Sequence, residues 1–394
     1  MRVLMVSDVY FPRVNGVSTS IQTFRRELPA CGVTVDLIAP AYPNELEEPG
    51  LTRIASRYLP FDPEDRLMHR RAIRRMVPDL RAPNYDLVHI QTPFVAHYAG
   101  LDLGRCLDVP VVTTYHTFFE EYLHHYAKIL PASLTRAIAR RFSRGQCNET
   151  HGVIAPSIAM RDALRNYGVT VPIEVIPTGI PLAQFSSGNG AQFRAQHGIA
   201  ADREVALFVG RVAHEKNIDL LLHATARIAR QRPNFTLAIA GEGPALSHLQ
   251  SLAHKLNLQD HVRFIGYLDR AGALLDCYSA ADIFAFGSTT ETQGLVLLEA
   301  MAMGLPVVAI PAMGARDILA PGEGCLCATN DPDDFAAKVV QLLSDPALQQ
   351  QKAEEAKRHA QSWSAPATAE RLAGFYRSVL KAQAEGALRA PAAA

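Results

Sequence analysis

Ser288-Thr-Thr-Glu291-Thr-Gln-Gly294-Leu-Val-Leu-Leu-Glu299-Ala-Met-Ala-Met-Gly304-Leu-Pro306-Val-Val-Ala309 is the stretch around which the chain is organised. Glu291 and Glu299 stand eight residues apart, and Gly294 followed by Leu-Val-Leu-Leu enters a helix without a breaker. Glu291 then belongs to a loop and Glu299 to the helix. The first-turn N–H groups of a helix lack partners within it, and the helix dipole adds roughly +0.5 charge at that end, so it draws anions. A ligand lying across it would be held at three points: an anionic centre on the amides at Gly294 and Leu295, and hydroxyls at Glu291 on one flank and Glu299 on the other. A nucleoside diphosphate sugar, with ribose, diphosphate and hexose in line, has that layout. A buried helix carrying one acid, beside an incidental loop acid, gives the same spacing, so the remainder of the chain has to decide.

The 394 residues are long for one core and suit two domains, each of about 180 to 200 residues. Apolar residues make up 48% and charged residues 20%, the balance of an ordinary globular protein. Lys plus Arg and Asp plus Glu both number 39, so net charge gives no support to a nucleic acid partner, and any basic surface is local. Met1 to Asp8 holds too few apolar residues for a signal-peptide core and reads as a first strand. The most apolar region, 294–315, is broken by Glu299, Gly304, Pro306 and Pro311, which argues against a membrane span. Six scattered cysteines fit a reducing cytoplasm, and Cys325 and Cys327 lack the companions of a metal site. The expected setting is cytoplasmic, either soluble or peripheral on the inner face of the cell membrane.

Outward from the central stretch, strand-like and helix-like segments alternate. Val3 to Ser7 ends in a loop containing Asn15 and Gly16, and a helical pattern then begins near Ser18 with Ile21, Phe24 and Leu28. That order opens a doubly wound α/β domain. A single glycine in place of Gly-x-Gly-x-x-Gly argues against a dinucleotide cofactor. Gly16 can still pass close to a diphosphate, or simply make a turn. Further strands at 33–38, 87–90, 111–115 and 152–155 make a parallel sheet covered on both faces the economical architecture. His116 follows directly on a strand, on the same rim as Gly16, where an imidazole can hydrogen-bond a sugar hydroxyl or accept a proton. The aromatic and acidic run from Phe118 to Tyr126 suits either a mouth for a partly apolar ligand or a packed helix.

Two segments read as basic helices. In 64–81, Ile73, Met76, Val77 and Leu80 share one face while Arg66, Arg70, Arg71, Arg74 and Arg75 fall mainly on the other. In 132–147, Arg136, Arg140, Arg141 and Arg144 cluster within three turns. Such helices in a neutral protein suit an anionic membrane surface, or are simply solvated faces packed on the sheet.

Pro177-Thr-Gly179-Ile-Pro181 and the small polar run to Gly190 mark a boundary. The expected domains are 1–178, 179–367, and a last segment 368–394 whose helix crosses back before a frayed tail. In the second domain Val205 to Val209 leads through Gly210-Arg211 to Lys216-Asn217, with Asn217 as helix cap. Two cations there can neutralise a diphosphate and the charge it develops on leaving. Thr236 to Ala240 runs into Gly241-Glu-Gly243, and Gly266-Tyr267 offers backbone groups to a base edge. Asp331-Pro-Asp333, the only Asp-x-Asp, reads as a helix start rather than a metal clamp.

Gly210-Arg211, Lys216-Asn217, Gly241-Glu-Gly243 and Glu291 through Glu299, in that order on one chain, resemble the retaining glycosyltransferases of the two-Rossmann-domain type, the large fourth family. The resemblance runs over nearly the whole chain. It implies an α/β fold with two Rossmann-like domains facing across a cleft (the GT-B type) and a nucleotide sugar held mostly on the second. By that similarity Arg211 and Lys216 hold the diphosphate, Glu299 the ribose, Glu291 the donor sugar's hydroxyls and His116 a donor hydroxyl opposite, while Gly16 approaches the diphosphate. Gly210, Gly241, Gly243, Gly266, Tyr267, Gly294 and Leu295 complete the expected donor cradle, and no metal is implied.

Thr-Glu291-Thr-Gln-Gly294-Leu-Val, Tyr-His116-Thr and Glu-Tyr-Leu-His-His-Tyr look most like the bacterial diacylglycerol glucosyltransferase branch, which is peripheral on membranes. Ile180 departs from the family, whose members often carry an acid there. The implied activity is transfer of a hexose, with retention, from a nucleotide sugar to a membrane lipid acceptor, with UDP-glucose first and GDP-mannose second as donor. The alternatives are a mannosyltransferase acting on a phospholipid and a transferase with a soluble or polysaccharide acceptor. A non-catalytic binding module and an epimerase are the remaining rivals. No residue is an obvious nucleophile on the reacting face, which favours front-face displacement, and the two acids are read as hydroxyl binders rather than as a hydrolase pair.

Overall fold

A computed structural model describes residues 1–43, 48–59, 62–116, 132–270 and 272–386. The run from Phe118 to Tyr126 lies outside them. The alternating pattern folds into two α/β units, Met1–Gly179 together with the chain from Ala365 onward, and Ile180–Ser364.

In the first unit the strands are β1 (Arg2–Val6), β2 (Thr34–Pro40), β3 (Leu51–Ile54), β4 (Ser56–Leu59), β5 (Asp62–Met68), β6 (Leu87–Ile90), β7 (Val111–Thr114), β8 (Gly152–Ala155) and β9 (Ile173–Val175). Seven of them form a parallel sheet in the order β3-β2-β1-β6-β7-β8-β9, with Val3 paired to Val35 on one side and Leu87 on the other. β6, β7 and β8 are buried throughout, which is why they show no alternation of apolar and exposed polar positions, and His89, Thr113 and Thr114 are buried with their apolar neighbours. The helix Ala365–Ala384 packs in this unit: Leu372, Ala373, Tyr376 and Val379 share a core with Val3, Met5 and Ile21. Gly152 admits it, since a Cβ there would stand 2.8 Å from the Phe375 ring.

The expected helix over 64–81 is not formed. β4 and β5 pair as an antiparallel hairpin through Met68, and helix follows only at Arg70–Arg75 and Val77–Arg81. Pro78 explains the break, because a proline in a helix interior removes an N–H and clashes with the turn before it, whereas it is accepted in the first turn of a new helix. The arginines are redistributed accordingly. Arg66 is buried and donates to the Ala41 carbonyl at 2.9 Å, and Arg70 and Arg74 converge on Asp102, at 2.6 and 2.8 Å. Three of the five expected membrane-facing cations are therefore engaged within the fold.

The second unit contains β10 (Glu204–Val209), β11 (Phe235–Ala240), β12 (Val262–Gly266), β13 (Ile283–Phe286), β14 (Val307–Ala309) and β15 (Cys325–Cys327). They form a parallel sheet in the order β12-β11-β10-β13-β14-β15. Both sheets are the doubly wound type: winding reverses between β1 and β6 in one and between β10 and β13 in the other. Ligands of such sheets bind at the carboxyl ends of strands beside the reversal. Among the described residues no helix is long and apolar enough to cross a membrane.

His89 on β6 ties the first sheet to the last helix. Its Nδ1 lies 2.6 Å from the Tyr376 hydroxyl and its Nε2 2.7 Å from the Thr114 hydroxyl, and burial, aided by nearby His116, lowers its pKa to about 3. The unfolded chain takes up that proton first, so the stability contributed by neutral His89 is complete above about pH 6.5 and is lost as pH falls. Asp8, pushed up to about 6 by burial although Thr92 and Ala96 donate to it, works in the opposite sense over part of the same range. Comparison with a variant isolates the histidine: the excess stability of wild type over His89→Gln in urea unfolding shrinks between about pH 7 and pH 4. A difference independent of pH would contradict this account.

Candidate active site

β10 and β13 are neighbours, with Ala206 opposite Ile283, so the loops that leave their carboxyl ends emerge side by side. The first carries Gly210, Arg211, a short 3-10 turn His214–Lys216 and Asn217 before the helix Ile218–Ala229. The second carries Gly287 to Gln293 and enters the helix Leu295–Ala302 through Gly294, whose φ of +95° is a left-handed conformation that favours glycine.

Side chains bind the two loops together. Lys216 Nζ donates to Glu291 Oε1 at 2.5 Å, and the Thr290 hydroxyl donates to the Glu215 carbonyl at 3.3 Å. Asn217, expected to cap its helix, makes no capping bond. It sits at φ +54° and donates its amide to the Gly287 carbonyl at 3.0 Å and to Asn330 Oδ1 at 2.9 Å, serving as a junction between loops. Lys216 and Glu291 are mostly withdrawn from solvent, while Arg211 is 44% exposed with its guanidinium 3.7 Å from Glu215. Both cations thus carry acidic partners for which an anionic ligand would compete. Asp331 uses its carboxylate to cap the helix Pro332–Ser344 through the amides of Asp333 and Asp334.

The glycines on this rim have their own packing reasons. A Cβ on Gly241 would fall 1.9 Å from the Gly210 carbonyl oxygen, and one on Gly243 2.4 Å from that of Val212. Gly210 N–H donates to Ala240 and Gly241 N–H to Gly266, so the ends of β10, β11 and β12 are laced at backbone distance. Close loop packing alone accounts for these positions. Gly16 is different: it begins the helix Gly16–Glu27 behind the Asn15 cap, and nothing lies within 4 Å of where its Cβ would be. Tyr267 presents its ring to solvent, and Leu295 lies partly exposed at the helix entry.

Glu299, expected to hold a ribose, is engaged within the fold. Its side chain is 3% exposed, Oε1 is paired with Arg270, and Oε2 accepts from the Tyr278 hydroxyl at 2.9 Å. A ribose could reach this carboxylate only if Arg270 turned away. Spacing along the chain carried no sign of Arg270, which comes from the loop after β12.

In the first unit, His116 follows β7 and its Nε2 lies 2.9 Å from Gln91 Oε1. The network thereby assigns Nε2 as donor and leaves Nδ1 as the ring's acceptor. Burial pushes the His116 pKa down to about 4, so the ring is neutral near pH 7. Gln91 also donates to His89 Nδ1 at 3.1 Å, linking His116 to the buried histidine. The criterion that singled out His116, a polar residue directly after a buried strand, applies equally to Gln91 after β6.

Residues 14–184 match the model of Glycosyltransferase Family 4, and residues 190–359 match that of Glycosyl transferases group 1. The chain is 36% identical to an alpha-monoglucosyldiacylglycerol synthase of Streptococcus pneumoniae, over 78% of this chain and 71% of that one. A protein of the same name from Acholeplasma laidlawii is 30% identical over 78% and 80%. A D-inositol 3-phosphate glycosyltransferase of Kineococcus radiotolerans is 34% identical over 76% and 73%. Among solved structures, sucrose-phosphate synthase from Thermosynechococcus elongatus has a TM-score of 0.77 at 23% identity, covering 97% of this chain and 99% of that one. HepE of Anabaena, in complex with UDP-glucose, has a TM-score of 0.76 at 19% identity, covering 96% and 100%. The chain is a glycosyltransferase with two Rossmann-like parallel sheets. It belongs to glycosyltransferase family 4.

The buried Glu299 cluster has a measurable consequence. Replacing Glu299 with Leu strands the fully buried Tyr278 hydroxyl while Arg270 can turn to water, so unfolding by urea should show a loss of about 1–3 kcal/mol. Unchanged stability would mean that the carboxylate is not held as described.

Proposed function

We propose that this glycosyltransferase moves glucose from UDP-glucose, with retention, to a hydroxyl of a diacylglycerol-type lipid at an anionic membrane surface. The observation that carries the reading is the Lys216–Glu291 pair at the switch point of the second sheet, next to the helix entry at Gly294. Lys216 and Arg211 would meet the charge that gathers on the departing diphosphate, with the amides after Gly294 as further donors. Glu291, freed from Lys216 by the diphosphate, would hold hydroxyls of the sugar, and Glu299 would take the ribose once Arg270 moves aside. His116 would hold a sugar hydroxyl, and Gly16, where glycine is not required by packing, would lie against the diphosphate. Gly210, Gly241, Gly243, Gly266, Tyr267 and Leu295 would line the nucleotide.

The lipid acceptor is supported by the two relatives named as diacylglycerol-modifying synthases. It is also supported by the surface of the helix Ala132–Asn148. There Thr135, Ala139, Ser143 and Cys147 form the buried stripe, while Arg136, Arg140, Arg141 and Arg144 lie outward with Leu134 and Ile138 exposed among them. Cations interleaved with exposed aliphatic side chains suit an anionic lipid interface. A second reading, transfer to a phosphorylated polyol in solution, is favoured by the inositol phosphate transferase of nearly equal identity.

Purified protein offered UDP-glucose or GDP-mannose, with diacylglycerol vesicles containing anionic phospholipid or with D-inositol 3-phosphate, separates the readings. Glucosylated lipid that requires the vesicles is expected, and transfer to the inositol phosphate alone would overturn the lipid reading. Lys216→Ala should lower kcat by about 10²–10³ with little change in the urea midpoint. A parallel loss of stability would undermine its assigned role. Charge reversal of Arg141 and Arg144 to Glu should reduce vesicle binding while donor hydrolysis without lipid stays within about twofold, since screened surface charges act at the membrane only.

A further inference from the structure

His214, Asp219 and His248 converge outside the residues assigned to the transfer reaction. His214 lies in the 3-10 turn that ends at Lys216, Asp219 in the first turn of the helix Ile218–Ala229, and His248 on the helix Leu246–Lys255. One ligand atom from each lies within 4.8 Å of the others, and among the described residues no other group of three such side chains does so. Asp219 Oδ1 is 2.5 Å from His248 Nε2, and the two imidazole rings stand 5.4 Å apart between centroids, tilted by 56°. An ordinary histidine–carboxylate hydrogen bond accounts for two members of the group but not for the third ring placed beside them.

We propose that these three side chains form a binding site for a zinc-class divalent ion. Two imidazoles and one carboxylate are the donor set of a three-ligand tetrahedral site with a fourth position for water. Magnesium and calcium, which take oxygen ligands in larger number, fit it poorly. Ligand atoms around a tetrahedral zinc stand about 3.3 Å apart, given bonds of about 2.0–2.1 Å. The widest pair therefore closes by at most about 1.5 Å while Asp219 and His248, now 2.5 Å apart, open by less than about 1 Å, and His214 and His248 are exposed enough to do so by side-chain rotation. The ion replaces the proton shared between His248 Nε2 and Asp219, which passes to water, and the ring coordinates through Nε2 as the neutral tautomer with its one proton on Nδ1, taken up from water where Nδ1 does not already carry it. Occupancy would clamp the turn that carries Lys216 to the two helices.

This site goes beyond the transferase reading and is tested without any sugar donor. The full chain, free of any affinity tag, is titrated with Zn2+ by calorimetry and with Co2+ by visible absorption. One equivalent should bind with the d–d spectrum of a tetrahedral ion and resist competition by Mg2+. His248→Ala and Asp219→Asn should each bind at least ~10-fold more weakly. Saturating zinc should raise the unfolding temperature of wild type and not that of His248→Ala. Equal affinity in wild type and His248→Ala, or no stoichiometric binding to wild type, would overturn the proposal.

Discussion

The contact between Lys216 and Glu291 is the constraint on which the site depends. Its two members come from loops that leave adjacent parallel strands at the point where the winding reverses, 75 residues apart in the chain. An ion pair mostly withdrawn from solvent is costly to desolvate, so the fold has to supply neighbouring bonds that hold its members in place. It does so with Thr290 on the Glu215 carbonyl and Asn217 on the Gly287 carbonyl. Under the proposed function, the pair is a cation held in place by an acid that a diphosphate would displace.

The two other polar clusters follow the same physics with different outcomes. Around Glu299, an acid with 3% of its side chain exposed is matched by Arg270 and Tyr278, a closed arrangement with both carboxylate oxygens engaged. Around His89, Tyr376, Thr114 and Gln91 satisfy a buried neutral imidazole and carry that order outward to His116. At His89 and His116 burial sets the protonation state, and in both clusters partners from remote parts of the chain make the burial tolerable.

Much of this was legible in the sequence wherever the information is local. Continuous apolar runs such as Val3–Val6 and Val205–Val209 announced parallel strands buried on both faces. The entry of a helix after Gly294 and the placing of Lys216 after a strand could likewise be read from neighbours in the chain. What could not be read is pairing across the fold. The arginine-rich stretch 64–81 has a helical period, yet β4 claims it as far as Met68 as a strand partner and Pro78 divides the rest. Asn217 has the chemistry of a cap and was drawn off by a carbonyl 70 positions away. Glu299 is paired with an arginine that no spacing rule connects to it. Gly241 and Gly243 were read for a ligand, although the carbonyls of Gly210 and Val212 already demand them.

The most direct measurement of the central claim is the affinity for UDP alone, by calorimetry, in wild type, Lys216→Ala and Glu291→Gln. If Lys216 is the diphosphate's cation and Glu291 its stand-in partner, the first variant weakens UDP by about tenfold or more, the loss of one charge-assisted bond. The second then leaves UDP binding equal or tighter, because it releases Lys216. Unchanged affinity in Lys216→Ala, or a comparable loss in both variants, would contradict the account.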